Sequence, residues 1–353
     1  MDHIKILKRA WNITWGYRAL WIFGIILALT AGGGGGGNGG GGGNSGGRYN
    51  GGNGGNGPFP GGFEMPEIPA EAIAVAITIG IALACLIFFM MIISTVARYV
   101  AETSLIRMVD EHEATGEKHT VGQGFRLGWS RAAFRLFLID LIIGLPLTIV
   151  FIGLFVLAAA PLLLWMTENT AIGVMGTIIT IGLFFLFILA AVVVGAVVSV
   201  LLHFFRRTCA LEGTGVFDSI RQGYDMVRQH LKDVAIMVLI MFGIGIGWGI
   251  VMLIVTLVLM LAGLFLAGLP ALMVGGLVSL FTEGATPWIL AILVGLPILM
   301  LVVGIPGLFL GGLMQVYISS VWTLTYRDLR ALDTLSADEL EGEVEEVEVE
   351  PTE

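Results

Sequence analysis

Charge is scarce in this chain: 13% of its 353 residues are Asp, Glu, Lys or Arg, about half the share of an ordinary soluble domain. That excludes a water-soluble fold, because too little polar surface is available to wrap the apolar remainder, which reaches 56% of the sequence. Cysteine is scarcer still. Cys85 and Cys209 are too few for a disulfide framework or a paired-cysteine zinc site, and both read as structural. Also missing are a phosphate loop with its lysine, a metalloprotease helix and a nucleophile elbow. The sequence therefore gives no reason to expect a cofactor, a resident metal, nucleic-acid binding or enzymatic chemistry.

What the chain has is long apolar runs, over residues 12–31, 72–97, 136–160, 171–204, 234–266 and 287–322. Each reaches the roughly 20 residues that cross a bilayer core of about 30 Å as a helix. Of the 18 basic residues all but Arg48 fall at the ends of the runs that share one side. Lys5, Lys8, Arg9 and Arg18 stand at the first, six lie between the second and third, five between the fourth and fifth, and Arg327 and Arg330 after the sixth. Because such residues stay on the cytoplasmic face, we expect an all-α polytopic protein of a bacterial cytoplasmic membrane. Six transmembrane helices would form three hairpins, with both termini inside. The first run also has the small residues and basic flank of a signal peptide, but Trp11, Trp15 and Trp21 favour a retained, interface-anchored helix.

Each outgoing run is introduced by a small residue, an aromatic one and then cations. These are Ala10 and Trp11 with Arg18; Gly128 and Trp129 with Arg131 and Arg135; and Gly223 and Tyr224 with Arg228 and Lys232. Rings at headgroup depth beside cations that reach anionic lipid describe an interfacial amphipathic helix, so membrane lipids of the inner leaflet are the expected partners. Returning runs echo one another through Ser94, Ser199 and Ser319, each followed by an arginine. Three hairpins with basic flanks share these features by topology alone. The recurrence of the small-aromatic pair points further, to a pseudo-threefold repeat. Pro161 followed by Thr167 and Glu168, and Pro270 followed by Thr282 and Glu283, predict broken helix ends at the outer face.

Two segments are of low complexity. Residues 32–62 hold twenty glycines and are expected to be a flexible outer tether to a membrane domain over residues 1–332. Residues 333–353 hold ten acids and no base, which predicts an extended, disordered cytoplasmic tail; a basic cytoplasmic partner is the alternative use for it.

Inside the runs, Asp140 is the one acid. Intramembrane carboxylates mark ion paths or are paired near the interface, here with Arg135 or Arg131. His203 and Gln315 lie at similar depth and would complete a polar cavity in a permease. Asp110, Glu111, His112, Glu113, Glu117 and His119 offer many donors, but the seven-residue gap between the histidines fits no known zinc spacing, and Arg107 with Glu111 suits a helical ion pair. Chemistry of a lipid-modifying enzyme would have to sit between Glu102 and His119. Gly243, Gly245, Gly247 and Gly249 predict a close helix contact. Pro146, Pro270, Pro297 and Pro306, each two residues after a glycine, predict kinks.

The opening Tyr17-Arg18-Ala19-Leu20-Trp21-Ile22-Phe23-Gly24 resembles the start of a large set of uncharacterised bacterial six-span proteins. With the glycine-aromatic interfacial helices, the chain to about residue 332 resembles the membrane domain attached to some glycerophosphoryl diester phosphodiesterases. The resemblance implies a membrane module without the catalytic domain and its metal-binding residues.

Overall fold

A computed structural model describes residues 1–30, 70–167, 169–282 and 284–348, with side chains described to residue 334 and, in the helix that begins at Ala70, from residue 77. The glycine-rich stretch 32–62, Glu168 and Glu283 lie outside the described residues. The chain divides into two compact units, one of Met1–Gly39 with Ala97–Glu353, the other of Gly40–Val96.

All regular structure among the described residues is helical: α1 (His3–Gly16), α2 (Ala19–Thr30), α3 (Ala70–Thr115), α4 (Val121–Gly128), α5 (Arg131–Ala159), α6 (Thr170–Glu212), α7 (Val216–Gln229), α8 (Leu231–Ser279) and α9 (Thr286–Glu348). A 3-10 segment, Ala160–Met166, separates α5 from α6. Among the described residues five helices are long and apolar enough to cross a membrane, and α1 with α2 form a sixth candidate that is bent by 98°. The protein is a multi-pass membrane protein. The most apolar stretches of the five are at most 11% buried by protein, so lipid is the solvent that makes them stable there.

In the second unit, α3 from residue 77 to 96 is exposed almost throughout, Cys85 included. The larger unit packs its core at the end of the bundle where the cations gather, called the basic end below. Leu20, Phe23, Leu105, Met108, Phe204, Met237 and Tyr326 are fully buried there, whereas the distant halves of α5, α6 and α8 leave Val156, Phe185 and Phe265 exposed.

The three short helices share one register. α1, α4 and α7 begin at His3, Val121 and Val216, and in each the small residue comes seven positions later, at Ala10, Gly128 and Gly223. All three small residues are buried, and the aromatic that follows each is exposed: Trp11 by 54%, Trp129 by 73% and Tyr224 by 50%. The physical reason is close approach. A Cβ on Gly128 would lie 2.4 Å from the Val100 carbonyl oxygen of α3, and one on Gly223 would lie 2.6 Å from Phe205 Cδ1 of α6. The small residue lets the short helix press on a returning helix, and the next position, about 100° round the helix, turns its ring outward. α1 takes the same position on α9, with Trp11 edge-on to Tyr317 at 6.1 Å.

Four expectations change. The first run is not one straight span: residues 12–16 finish α1, and the elbow is pinned by Trp21, whose indole N–H donates to the Thr14 carbonyl at 2.7 Å. That carbonyl is one of the acceptors a helix end leaves open. Pro270 does not end α8, which runs on to Ser279, while the break after Pro161 is present as the 3-10 segment; Pro146, Pro297 and Pro306 also stand inside continuous helices. The stripe Gly243, Gly245, Gly247 and Gly249 meets nothing within 4 Å; the close contact falls at Gly24, where a Cβ would stand 2.3 Å from the Gly312 carbonyl oxygen. The backbone from 333 to 348 continues α9 as helix where the acidic run predicts extended chain, consistent with the high helix propensity of Leu and Glu.

Candidate functional site

The basic end holds the polar chemistry, organised around three returning helices. Arg107 of α3 donates through Nε to the Ala210 carbonyl of α6 at 3.1 Å. Arg207 of α6 donates through Nη2 to the Ser319 carbonyl of α9 at 3.1 Å. Arg327 of α9 donates through Nη1 to the Asp110 carbonyl of α3 at 2.7 Å. The links run α3 to α6 to α9 and back to α3, so the ends of the returning helices are tied in a closed ring. Ala210 lies in the last turn of α6, where backbone carbonyls carry partial negative charge and lack intrahelical donors, so a cation from the neighbouring helix suits it; Ser319 and Asp110 stand further inside α9 and α3.

Beside the ring is a paired-charge cluster. Arg206 grips Asp140 through Nη2, at 2.6 Å from Oδ2 and 2.8 Å from Oδ1, and through Nε at 3.0 Å from Oδ1. Its Nη1 donates to Glu102 Oε1 at 2.7 Å, and the Tyr99 hydroxyl donates to Asp140 Oδ2 at 2.8 Å. The three charged side chains are only 13–17% exposed. Bidentate guanidinium-carboxylate geometry is among the strongest hydrogen-bonding arrangements a protein makes, and it joins α3, α5 and α6. Arg98 and Arg207 also lie within electrostatic reach of Glu102.

The expected partner of Asp140 is thus replaced. Arg135 instead donates to the Gly213 and Thr214 carbonyls, at 2.6 and 3.1 Å, beyond the left-handed Gly213 (φ 64°) that ends α6, and Arg131 is exposed. His203 hydrogen-bonds within its own helix. Its Nδ1 lies 2.6 Å from the Ser199 carbonyl, which can only accept, so Nδ1 carries the proton. Its ring lies 5.0 Å from that of Trp322. Gln315 is half-buried on α9, and no hydrogen bond of Asp140 or His203 goes to it. Among the described residues no hydrogen bond joins Asp140 to His203 or Gln315.

The chain belongs to a family of unknown function (DUF7544), whose model matches residues 14–331. The match takes in every helix from α2 to the basic end of α9 and all residues of the ring and the cluster. No curated protein and no solved structure matches the chain.

The donors of the segment from Asp110 to His119, which spans the end of α3 and the turn after it, are dispersed. Glu113 pairs with Arg9 of α1, Asp110 with Arg327 at 2.6 Å, and Glu111 with His119 at 2.6 Å. His112 Nδ1 lies 3.0 Å from the Glu117 carbonyl. Among the described residues no group of three or more His, Cys, Asp or Glu is arranged to hold a metal ion. Arg107 does not pair with Glu111, because it is drawn to the Leu127 carbonyl and Ser130 Oγ, at 3.2 and 3.3 Å, besides Ala210. Further ties at this end are His230 to Asp333 at 2.6 Å and Arg330 to Glu212 at 2.7 Å.

The residues expected at the lipid interface divide into two groups. Trp11, Trp129, Tyr224, Arg131, Arg228 and Lys232 are exposed, and none of these three cations enters an ion pair among the described residues. Arg18 is exposed with its guanidinium 6.0 Å from the Trp21 ring centroid, a cation-π distance. Arg135 is the exception, spent on the end of α6. Sequence reasoning missed Arg206, Glu102, Tyr99, Arg207 and Arg107 as partners. The sequence showed only that Arg206, just beyond the fourth apolar run, and Asp140, just inside the third, are opposite charges at similar depth.

Proposed function

We propose that this protein is a non-enzymatic membrane module that engages anionic lipid headgroups at its basic end, in a bacterial cytoplasmic membrane with both termini on the cytoplasmic side. The observation that carries this reading is the shared register of α1, α4 and α7. Three times over, a buried small residue is followed by an exposed ring, and unpaired cations lie within a few residues in two of the three. Apolar rings and free cations side by side suit a headgroup layer, where the ring sits among glycerol and acyl carbons and the cation meets phosphate. The resemblance to the membrane domain of glycerophosphoryl diester phosphodiesterases supports the same reading of a module rather than an enzyme. Asp140 has both oxygens occupied by Arg206 and Tyr99, which weighs against a permease that would load and unload a proton or ion there.

The test is tryptophan quenching by brominated lipids after reconstitution. Brominated phosphatidylglycerol should quench more than brominated phosphatidylcholine at equal mole fraction. Each of Arg131→Gln, Arg228→Gln and Lys232→Gln should lower that preference about fivefold, from about 1 kcal/mol per cation at an anionic surface. Equal quenching by the two lipids, or a preference untouched by the triple substitution, would remove the proposal.

A further inference from the structure

The three arginines of the ring are not equally satisfied. Arg327 has, besides its carbonyl, the Asp110 carboxylate at 2.6 Å. Arg107 has three oxygen acceptors on α4, α6 and the turn after α4. Arg207 has the Ser319 carbonyl and the His203 carbonyl of its own helix, at 3.1 and 2.8 Å, and no carboxylate within ion-pair distance among the described residues. It is also the most enclosed of the three, at 2% exposure. Its Nε–H is buried without a hydrogen-bond partner, and so is the hydroxyl of Ser319, the residue whose carbonyl Arg207 already holds.

Two unsatisfied groups therefore flank one α6–α9 crossing. Arg207 Nε can only donate, and Ser319 Oγ is free to donate. Glu102, the acid within electrostatic reach of Arg207, is already hydrogen-bonded to Arg206. A buried cation without a close counter-charge is destabilising, and an unmet buried donor adds to the cost. A trapped water would satisfy hydrogen bonds but would neutralise no charge; a bound anion does both.

We propose that the Arg207–Ser319 crossing is a binding site for one small inorganic anion, of the halide class, held between α6 and α9 by Arg207 Nε–H and the Ser319 hydroxyl. The enclosure of Arg207 and Ser319, 2% and 8% exposed, selects a monatomic anion over a lipid phosphodiester with its two substituents. Occupancy would strengthen the α6–α9 link of the ring and so couple the docking of α9 on α6 to anion concentration. This site is independent of the lipid-facing cations, none of which contributes to it.

The test uses the full-length protein in zwitterionic nanodiscs, with sodium chloride exchanged for sodium gluconate at constant ionic strength. Wild type should show a saturating rise in unfolding midpoint with chloride, of about 2 °C once the anion exceeds its dissociation constant tenfold, and bromide should reproduce it. Arg207→Gln should abolish the rise and Ser319→Ala should weaken it. If Arg207→Gln does not fold, Ser319→Ala decides: a chloride midpoint shifted to higher concentration supports the site. Identical midpoints in chloride and gluconate would mean a water-filled crossing and overturn the proposal. A chloride effect unchanged in the foldable variants would place the anion elsewhere and overturn it equally.

Discussion

Arg206→Gln is expected to lower the stability of the folded protein by about 3–5 kcal/mol, the cost of stranding a buried partner when an ion pair is broken. The substitution leaves Asp140 and Glu102 facing each other's charge with their shared guanidinium gone, and Tyr99 can satisfy only one oxygen of Asp140. Glu102→Gln should cost less, because Asp140 keeps its bidentate grip on Arg206 and a neutral amide oxygen can still accept from Nη1. The triple change Arg206→Gln, Asp140→Asn and Glu102→Gln should recover much of the loss, since no uncompensated charge then remains. Denaturation of the purified protein in a fixed micelle, followed by tryptophan fluorescence, orders the four proteins. A loss below about 0.5 kcal/mol for Arg206→Gln, the size of an exposed ion pair, would mean that water reaches the cluster, and would return Asp140 to consideration as an ion-path residue.

Gly24→Ala is the second large effect, expected to destabilise by about 3 kcal/mol, at the upper end of the range for overpacking a close contact. The added methyl would stand 2.3 Å from the Gly312 carbonyl oxygen and 2.6 Å from Val316 Cγ2, and a backbone atom in a helix cannot step aside as a side chain can. α2 must then lift from α9. Gly312→Ala should behave similarly, since its methyl would lie 2.8 Å from the Ile25 amide nitrogen. Gly243→Ala and Gly247→Ala should be neutral or slightly stabilising, with open space at each position and a better helix former in place. A direct readout of docking is a disulfide between Ala28→Cys and Gly311→Cys. A Cβ on Gly311 falls 3.7 Å from that of Ala28, within the range a disulfide spans. The cross-link should form readily in the parent and poorly with Gly24→Ala; equal yields would show that α2 does not depend on this contact.

Several features were legible before any coordinates because their cause is local. A run of apolar residues must be a helix in lipid whatever surrounds it, since only intrahelical bonds satisfy its backbone there. The small-aromatic pairs at Ala10, Gly128 and Gly223 were likewise readable, because one buried and one exposed neighbour is a property of the helix surface. Asp140 stood out for the same reason: a lone acid in an apolar run needs a partner.

Its partner was not readable. Arg206 is 66 residues from Asp140, and nothing in either local sequence distinguishes it from Arg131 or Arg135, which are nearer in the chain but are directed to solvent and to the end of α6. The glycine contacts show the same division. Gly243 to Gly249 and Gly24 with Gly312 have equal claims as small residues in apolar helices, and only the packing of α2 on α9 gives the contact to the second pair.

The sequence by itself determined the class of object, the places where the chain enters the apolar phase and the residues that ring those places, because solvation acts on each segment separately. The tertiary structure alone decided which charge meets which, that three arginines link three returning helices in a closed ring, and that Arg207 is the member left with an unmet buried donor. Those outcomes depend on side chains tens to hundreds of residues apart arriving within about 3 Å of one another, and only the packed helices impose that condition.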